Sequence, residues 1–255
     1  MPQHSRPSPS ILHSSCDVRI GTSGWHYQHW RGLFYPPDLP TRDMLGWYRK
    51  QFDTVEVNNS FYHLPSEKTF MDWHQSTQAE FCFSVKGSRY ITHQKKLKEI
   101  EPVLERFIPL VDSLGAKLGP ILFQLPPRWS RNLDRLIGFL DALPNGHRYT
   151  FEFRDPSWHN AEIYRALTWY NAAFCIYELN GFQSPHEVTA DFAYVRLHGP
   201  RQKYQGEYSS HVLRNWSRRI MQWRHSLSAV YVYFDNDQAA YAAKNAAALK
   251  KMLDY

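Results

Sequence analysis

No stretch of the 255 residues stays apolar for the roughly 18 to 20 positions that a membrane-spanning helix needs, so no membrane partner is expected. Cysteine is scarce. The three, Cys16, Cys82 and Cys175, are far apart with no CxxC pair, which argues against a disulfide framework or a zinc knuckle and for a cytoplasmic chain. A dinucleotide fingerprint is missing too: GTSG at 21–24 lacks the third glycine and the acidic residue about 20 positions on. HxH, HExxH, GxSxG and SxxK are also lacking, so neither a zinc motif nor a covalent-nucleophile motif is present. The opening MPQHSRPSPSILHSS is too poor in apolar residues for a signal-peptide core. It reads as a disordered tail over 1–16, leaving 17–255 as one domain.

What is there is apolar and aromatic. Hydrophobic residues make up 43% and aromatics 16%, with 9 Trp, enough to bury a sizeable core. Lys and Arg number 30 against 24 Asp and Glu, a net charge of +6. A basic balance favours an anionic partner, a small molecule first and nucleic acid as the alternative, because the surplus is moderate.

Short β-type runs alternate with longer amphipathic stretches. The runs are VRIGT (18–22), TVEVN (54–58), FCFSVK (81–86), ILFQL (121–125), YTFEFR (149–154), AFCIYE (173–178), FAYVRL (192–197) and VYVYFD (230–235). Helical spacing falls near 41–51, 66–78, 95–114, 131–143, 160–172, 207–227 and 238–253. Eight such units predict an α/β fold, a single (β/α)8 TIM-type barrel, rather than a doubly wound open sheet. The connector between the sixth and seventh runs, LNGFQSPHEVTA, is short and holds Gly and Pro, which predicts an irregular link without a full helix.

In a strand, residues i and i+2 share a face, so polar residues of one parity near the C-terminal ends mark a barrel mouth. Glu56 and Asn58 share parity on the second run, Ser84 and Lys86 on the third, Glu152 and Arg154 on the fifth, and Arg196 and His198 on the seventh; Gln124 stands alone on the fourth. Buried charges need partners, so these groups neutralise one another or a ligand. Glu56 and Glu152 are the acid/base candidates, because two carboxylates facing one cavity repel and push one pKa up. Lys86, Arg154 and Arg196 suit a phosphate or carboxylate. Of 13 histidines, His93 and His198 stand at strand ends and are singled out. A divalent metal held by Glu56, Glu152, His198 and Asp235 or Asp237 is a weaker expectation. Trp25, Tyr27, Trp30, Phe61, Tyr62, Trp158 and Tyr204 fall in the loops after strands, where aromatics anchor loops or stack a sugar or base.

The ordered segments GTSGWHYQHWRGLFYP (21–36), TVEVNNSFY (54–62), FSVKGSRYITH (83–93), FQLPP (123–127), FEFRDPSW (151–158), YVRLHG (194–199) and YVYFDND (231–237) resemble the YecE-like family, known as domain of unknown function 72. The resemblance covers about 18–253. It implies a TIM-type barrel and no established activity. By its motifs Gly24, Trp25, Glu56, Asn58, Lys86, His93, Gln124, Glu152, Arg154, Trp158, Arg196 and His198 occupy signature positions. The pattern departs from the family at Asp235, where Asn is frequent, and at the end of the sixth run.

These readings combine into one expectation. Glu56, Glu152 and His198 do acid/base chemistry on an anionic substrate, one that contains a sugar or nucleotide, with hydrolase, isomerase and lyase all open. Trp25, Asn58, Lys86, His93, Gln124, Arg154, Trp158 and Arg196 bind it. A nucleic-acid-binding or repair-type barrel and a non-catalytic ligand-binding barrel are the alternatives. So is a lumen ion-pair network with a purely structural role.

Overall fold

Residues 16–253 are described by the structure, a computed structural model; of the expected tail over 1–16, all but Cys16 lies outside the described residues. Each of the eight β-type runs forms a strand. They are β1 (Asp17–Thr22), β2 (Thr54–Val57), β3 (Cys82–Lys86), β4 (Leu118–Gln124), β5 (Tyr149–Glu152), β6 (Ala173–Leu179), β8 (Phe192–Leu197) and β9 (Ala229–Phe234). A two-residue strand, β7 (Phe182–Gln183), folds back antiparallel on β6 in the irregular connector, so the sixth and seventh units are joined by a hairpin rather than a helix.

The spatial order is β1-β9-β8-β6-β5-β4-β3-β2, with every neighbouring pair parallel. The outermost strands, β1 and β2, meet through a bridge between Ser23 and Glu56 and a hydrogen bond from Gly24 N–H to the Glu56 carbonyl at 2.8 Å. A Cβ on Gly21 would lie 2.3 Å from the Thr54 carbonyl oxygen, so glycine is what lets β1 and β2 approach. The result is a nearly closed (β/α)8 TIM-type barrel.

Among the described residues seven α-helices surround it: α1 (Met44–Tyr48), α2 (Glu67–Gln75), α3 (Glu101–Asp112), α4 (Leu133–Ala142), α5 (Ala161–Trp169), α6 (Ser210–Trp223) and α7 (Tyr241–Leu253). Ser66, Asn132, Asn160 and Ser209 start α2, α4, α5 and α6 by accepting hydrogen bonds from first-turn N–H groups. The apolar spacing predicted α3 from 95, but it starts six residues later. Lys96, Leu97 and Glu99 take φ of 48°, 63° and 50°, a left-handed backbone that no α-helix can continue through, and Pro102 suits the first turn that follows. No helix among the described residues is long and apolar enough to cross a membrane.

Alternation along the strands separates two cores. Val55, Val57, Phe83, Val85, Phe123, Phe151, Phe153, Ile176, Val195, Val232 and Phe234 face the helices. Leu122, Ala173, Cys175, Tyr177, Tyr194, Tyr231 and Tyr233 fill the lumen. The lumen is thus rich in tyrosine, whose hydroxyls must find partners when buried. Tyr233 shares a hydrogen bond with Thr54 Oγ1 at 2.7 Å, Tyr194 meets Ser84 Oγ at 2.7 Å, and Arg148 donates to the Tyr231 hydroxyl at 2.6 Å from the N-terminal end. This ladder of hydroxyls carries polarity up the axis to the opposite mouth.

Candidate active site

The lumen ladder ends at the C-terminal mouth on Glu56. Tyr194 donates its hydroxyl hydrogen to Glu56 Oε2 at 2.6 Å, while Ser23 Oγ and Arg196 occupy Oε1, the latter through Nη2 at 2.7 Å and Nε at 3.1 Å. Arg196 Nη1 donates to Glu152 Oε2 at 2.6 Å, and Nη2 also reaches Asp235 Oδ2 at 3.3 Å. One guanidinium, 1% exposed, therefore ties carboxylates from β2, β5 and the end of β9 into one cluster. The planar fork of Arg, with its five donors, is what allows a single residue to serve three acceptors.

Around it the second cation and the imidazole complete the network. Arg154 Nε donates to Glu152 Oε1, and Arg154 Nη2 approaches His198 Nε2 at 3.1 Å. His198 Nδ1 lies 2.7 Å from Asp235 Oδ2. Two guanidinium donors against Nε2 make that nitrogen the acceptor, so Nδ1 carries the hydrogen and donates it to Asp235.

Burial alone would raise the Glu152 carboxyl, yet the charges of Arg154 and Arg196 and the contact with His198 outweigh it and hold the group well below its usual value. Asp235 behaves alike: burial opposes ionisation, but the hydrogen bond from His198 and the charges of Arg196 and Lys86 bring it down. Both are ionised in the folded protein at neutral pH. Arg196 goes the other way, because Glu56, Glu152 and Asp235 more than offset its burial and lift it well above its ordinary value.

Lys86 and His93 differ from these groups. Lys86 is 6% exposed, its Nζ sits 4.1 Å from the centroid of the Phe61 ring, and among the described residues it makes no ion pair or hydrogen bond through Nζ. Burial, followed by the positive charge of Arg196, brings its pKa down to about 8, although Glu152, Glu56 and Asp235 pull upward. His93 packs edge-on against the same Phe61 ring at 5.1 Å, and its Nδ1 meets Thr92 Oγ1 at 2.9 Å. Burial and the cations Arg89, Lys86 and Arg154 lower it to about 4, which keeps the imidazole neutral.

Of the residues expected at the site, the structure brings together Glu56, Lys86, Glu152, Arg154, Arg196 and His198, with His93 beside Lys86. Asn58 is half-buried with an Oδ1 that has no hydrogen-bond partner among the described residues, and Gln124 donates through Nε2 to the Leu125 carbonyl. Trp25 and Trp158 do not join them. Trp25 packs edge-on against Trp73 of α2 and Phe83, while Trp158 stacks on Phe153 at 4.9 Å and donates to the Trp129 carbonyl; both lie behind the strands, among the helix-facing side chains. Their positions after strands were visible in sequence, but the loop turns their rings outward from the barrel.

Glu56 and Glu152 converge as parity implies, but each is fully buried and its oxygens are engaged by protein donors. The divalent-metal expectation meets the same obstacle: among the described residues no group of three or more His, Cys, Asp and Glu side chains is arranged to hold an ion. Asp235, considered only as a metal ligand, orients His198 instead. Tyr194 and Ser23 were missed; Tyr194 shares the parity of Arg196 and His198, and that signal could have found it. Cys82 and Cys175 have thiols raised by burial, Cys82 to about 11, in keeping with inert core residues.

A TIM-type barrel with an Arg-centred polar cluster at its C-terminal mouth is the class of protein these observations define. More particularly, the chain belongs to the family described as protein of unknown function DUF72, whose model matches residues 19–255. The UPF0759 protein YecE of Escherichia coli strain K12 is 29% identical over 140 residues, 54% of this chain and 49% of that protein, so the match spans about half of that relative's length. The UPF0759 protein YunF of Bacillus subtilis strain 168 is 24% identical over 273 aligned positions, covering 93% of this chain and 95% of YunF. A crystal structure of a DUF72 family protein from Thermotoga maritima superposes with a TM-score of 0.85 at 27% identity, covering 94% of this chain and 100% of that one. A DUF72 family protein from Enterococcus faecalis shares the fold alone, with a TM-score of 0.80 at 18% identity over 93% and 96% of the two chains.

Proposed function

We propose that the protein is a barrel enzyme whose C-terminal mouth binds a small anionic molecule bearing hydroxyl groups. The observation that carries this reading is a buried ammonium that among the described residues has no carboxylate partner, Lys86, together with a guanidinium, Arg154, whose charge like that of Lys86 is felt by His93 and whose Nη1 donates to no protein acceptor among the described residues. Three carboxylates, Glu56, Glu152 and Asp235, already neutralise three cations in sum, but they crowd around Arg196 and Arg154. A phosphate or carboxylate of the ligand would complete the contacts of Lys86 and Arg154, and Asn58 Oδ1 would accept from a hydroxyl.

In this reading Glu56 and Glu152 are positioning residues rather than the proton carriers, because their oxygens face protein donors. His198 is likewise enclosed and holds Arg154 in place through Nε2. His93 is the group left neutral and free to accept a proton. Its imidazole is neutral at physiological pH, half-buried, and anchored by Nδ1, and among the described residues Nε2 makes no hydrogen bond. Hydrolysis, isomerisation and lyase chemistry share that requirement for a base beside a bound anion.

A titration of inorganic phosphate into the protein, followed by calorimetry and melting temperature, tests the reading. Binding should weaken by about tenfold or more in each of Lys86→Met and Arg154→Met, the loss that a charge-assisted hydrogen bond implies. Affinity unchanged from the parent in both variants would remove the mouth as an anion site.

A second reading, a nucleic-acid-binding or repair-type barrel, draws on exposed tyrosines in loops at the same end. Tyr62, Tyr90 and Tyr204 are 69%, 42% and 37% exposed, and Lys95 and Lys203 lie over the last two rings. It requires DNA or RNA affinity to fall steeply with salt, several logarithmic units of slope; a flat response would exclude it.

A further inference from the structure

Lys86 stands apart from every other charged group in the mouth. Its neighbours on the packed strands are all engaged with one another: Glu56 on β2 with Arg196, Glu152 with Arg154 and Arg196, and Asp235 with His198 and Arg196. Its own Nζ rests on an apolar ring, held by β3 and by the Phe61 turn after β2. The turn is fixed in place, since Ser60 Oγ donates to the Lys86 carbonyl at 2.6 Å and to the Val57 carbonyl at 3.0 Å. A structural lysine elsewhere in the fold looks different. Lys117, equally buried as a residue, spends its ammonium hydrogens on the carbonyls of His74 and Thr77 and on Thr77 Oγ1.

An amine that is desolvated, unpaired, and beside a second cation is the arrangement that makes lysine a nucleophile. We propose that Lys86 is a covalent catalytic residue that forms an imine with an aldehyde or ketone carried by an anionic substrate. The proposal rests on the anion-binding reading of the mouth and deepens it by naming the reacting group of the ligand. Arg154 then holds the anionic group while Lys86 engages the carbonyl carbon.

The step balances without an oxidant or reductant. The neutral amine's lone pair forms the C–N bond as the carbonyl π pair moves to oxygen, and the proton that the nitrogen then loses is matched by the one that oxygen takes up, giving a neutral carbinolamine. The nitrogen pair then expels that oxygen as water, with a second proton supplied to it, and the products are one protonated imine and one water. The iminium carries the same positive charge as the resting ammonium form, so the surrounding carboxylates of Glu56, Glu152 and Asp235 see the same charge in the resting protein and in the adduct. With the ammonium brought to about 8, about a fifth of Lys86 is neutral at pH 7.4, against about one part in a thousand for an ordinary lysine.

The test uses the full chain with two aldehydes that differ only in a phosphate, pyridoxal 5′-phosphate and pyridoxal, followed by borohydride reduction and peptide mapping. Lys86 should be modified ahead of the other lysines by either aldehyde, and the adduct should be lost from that peptide in both Lys86→Arg and Lys86→Met. Adducts spread over other lysines with Lys86 unmodified would overturn the proposal, and because the mapping is done on the unaltered chain it does not depend on a variant folding. The anion reading fails separately. If pyridoxal modifies Lys86 as fast as its phosphate ester, and inorganic phosphate gives no protection, imine formation stands while the anion site falls; tenfold faster modification by the phosphate ester, suppressed by inorganic phosphate, sustains both.

Discussion

Arg196 is the residue on which the mouth is organised, and its removal has a calculable consequence. Truncating one partner of a buried ion pair leaves an uncompensated charge and costs about 3–5 kcal/mol. Here Glu56, Glu152 and Asp235 would all lose a donor. Arg196→Met should therefore lower the free energy of unfolding by at least about that range in urea denaturation, and pairing it with Glu56→Gln should recover part of the loss. A variant as stable as the parent would show that the cluster contributes nothing to the fold. Parity along β2, β5 and β8 was enough to say that these side chains share a face. It could not say that Arg196 would stand between the two glutamates. That depends on where β8 comes to lie across the lumen from β2, and so the acid/base role first assigned to the carboxylates passes, in our proposal, to His93 and Lys86.

At the scale of elements, the seam between β1 and β2 is the weak point of the closed sheet. Its backbone pairing reduces to the Ser23 bridge and the Gly24 hydrogen bond. Gly21→Val would put a branched side chain where even a Cβ lies 2.3 Å from the Thr54 carbonyl. We expect a destabilisation of about 2–3 kcal/mol or more, with faster hydrogen exchange in β1 and β2 than in β4 and β5, measurable by mass spectrometry. Uniform exchange across the barrel would contradict the placement of the weakness. The same scale shows why α3 was misplaced by sequence. The apolar stripe of 95–114 continues through Leu97 and Ile100, both buried, but they reach the core from left-handed and irregular backbone rather than from a helix. Burial and helical spacing coincide there without a helix, and the hydrophobic pattern alone cannot separate them.

For the molecule as a whole, the cluster and His93 predict how stability follows pH. His93 has an ordinary value of 6.5 and about 4 in the fold, so the folded state prefers the neutral ring. Its contribution is fully present above pH 6.5 and is lost as pH falls toward 4. Glu152 and Asp235 start from 4.5 and 3.8 and lie lower in the fold, so their contribution is intact above those values and is lost as pH falls beneath them. Urea midpoints should thus fall in two stages on acidification, and His93→Leu should flatten the stage between 6.5 and 4 while leaving the lower one. A midpoint that is constant down to pH 4 in the parent would refute the assignment for His93.

Sequence by itself determined the eight-stranded barrel, the helix-poor connection after the sixth unit, and the face on which Glu56, Lys86, Glu152, Arg154, Arg196 and His198 would appear. Periodicity and parity are local properties of the chain, set by backbone geometry one strand at a time. Only the tertiary structure decided which of those groups neutralise each other and which is left unpaired. Partnership is a matter of distances across the lumen between strands far apart in the chain, 140 positions for Arg196 and Glu56, and no local pattern encodes those distances. The rings of Trp25 and Trp158 turned toward the helices for the same reason: the position of a loop residue in the chain does not fix the direction of its side chain.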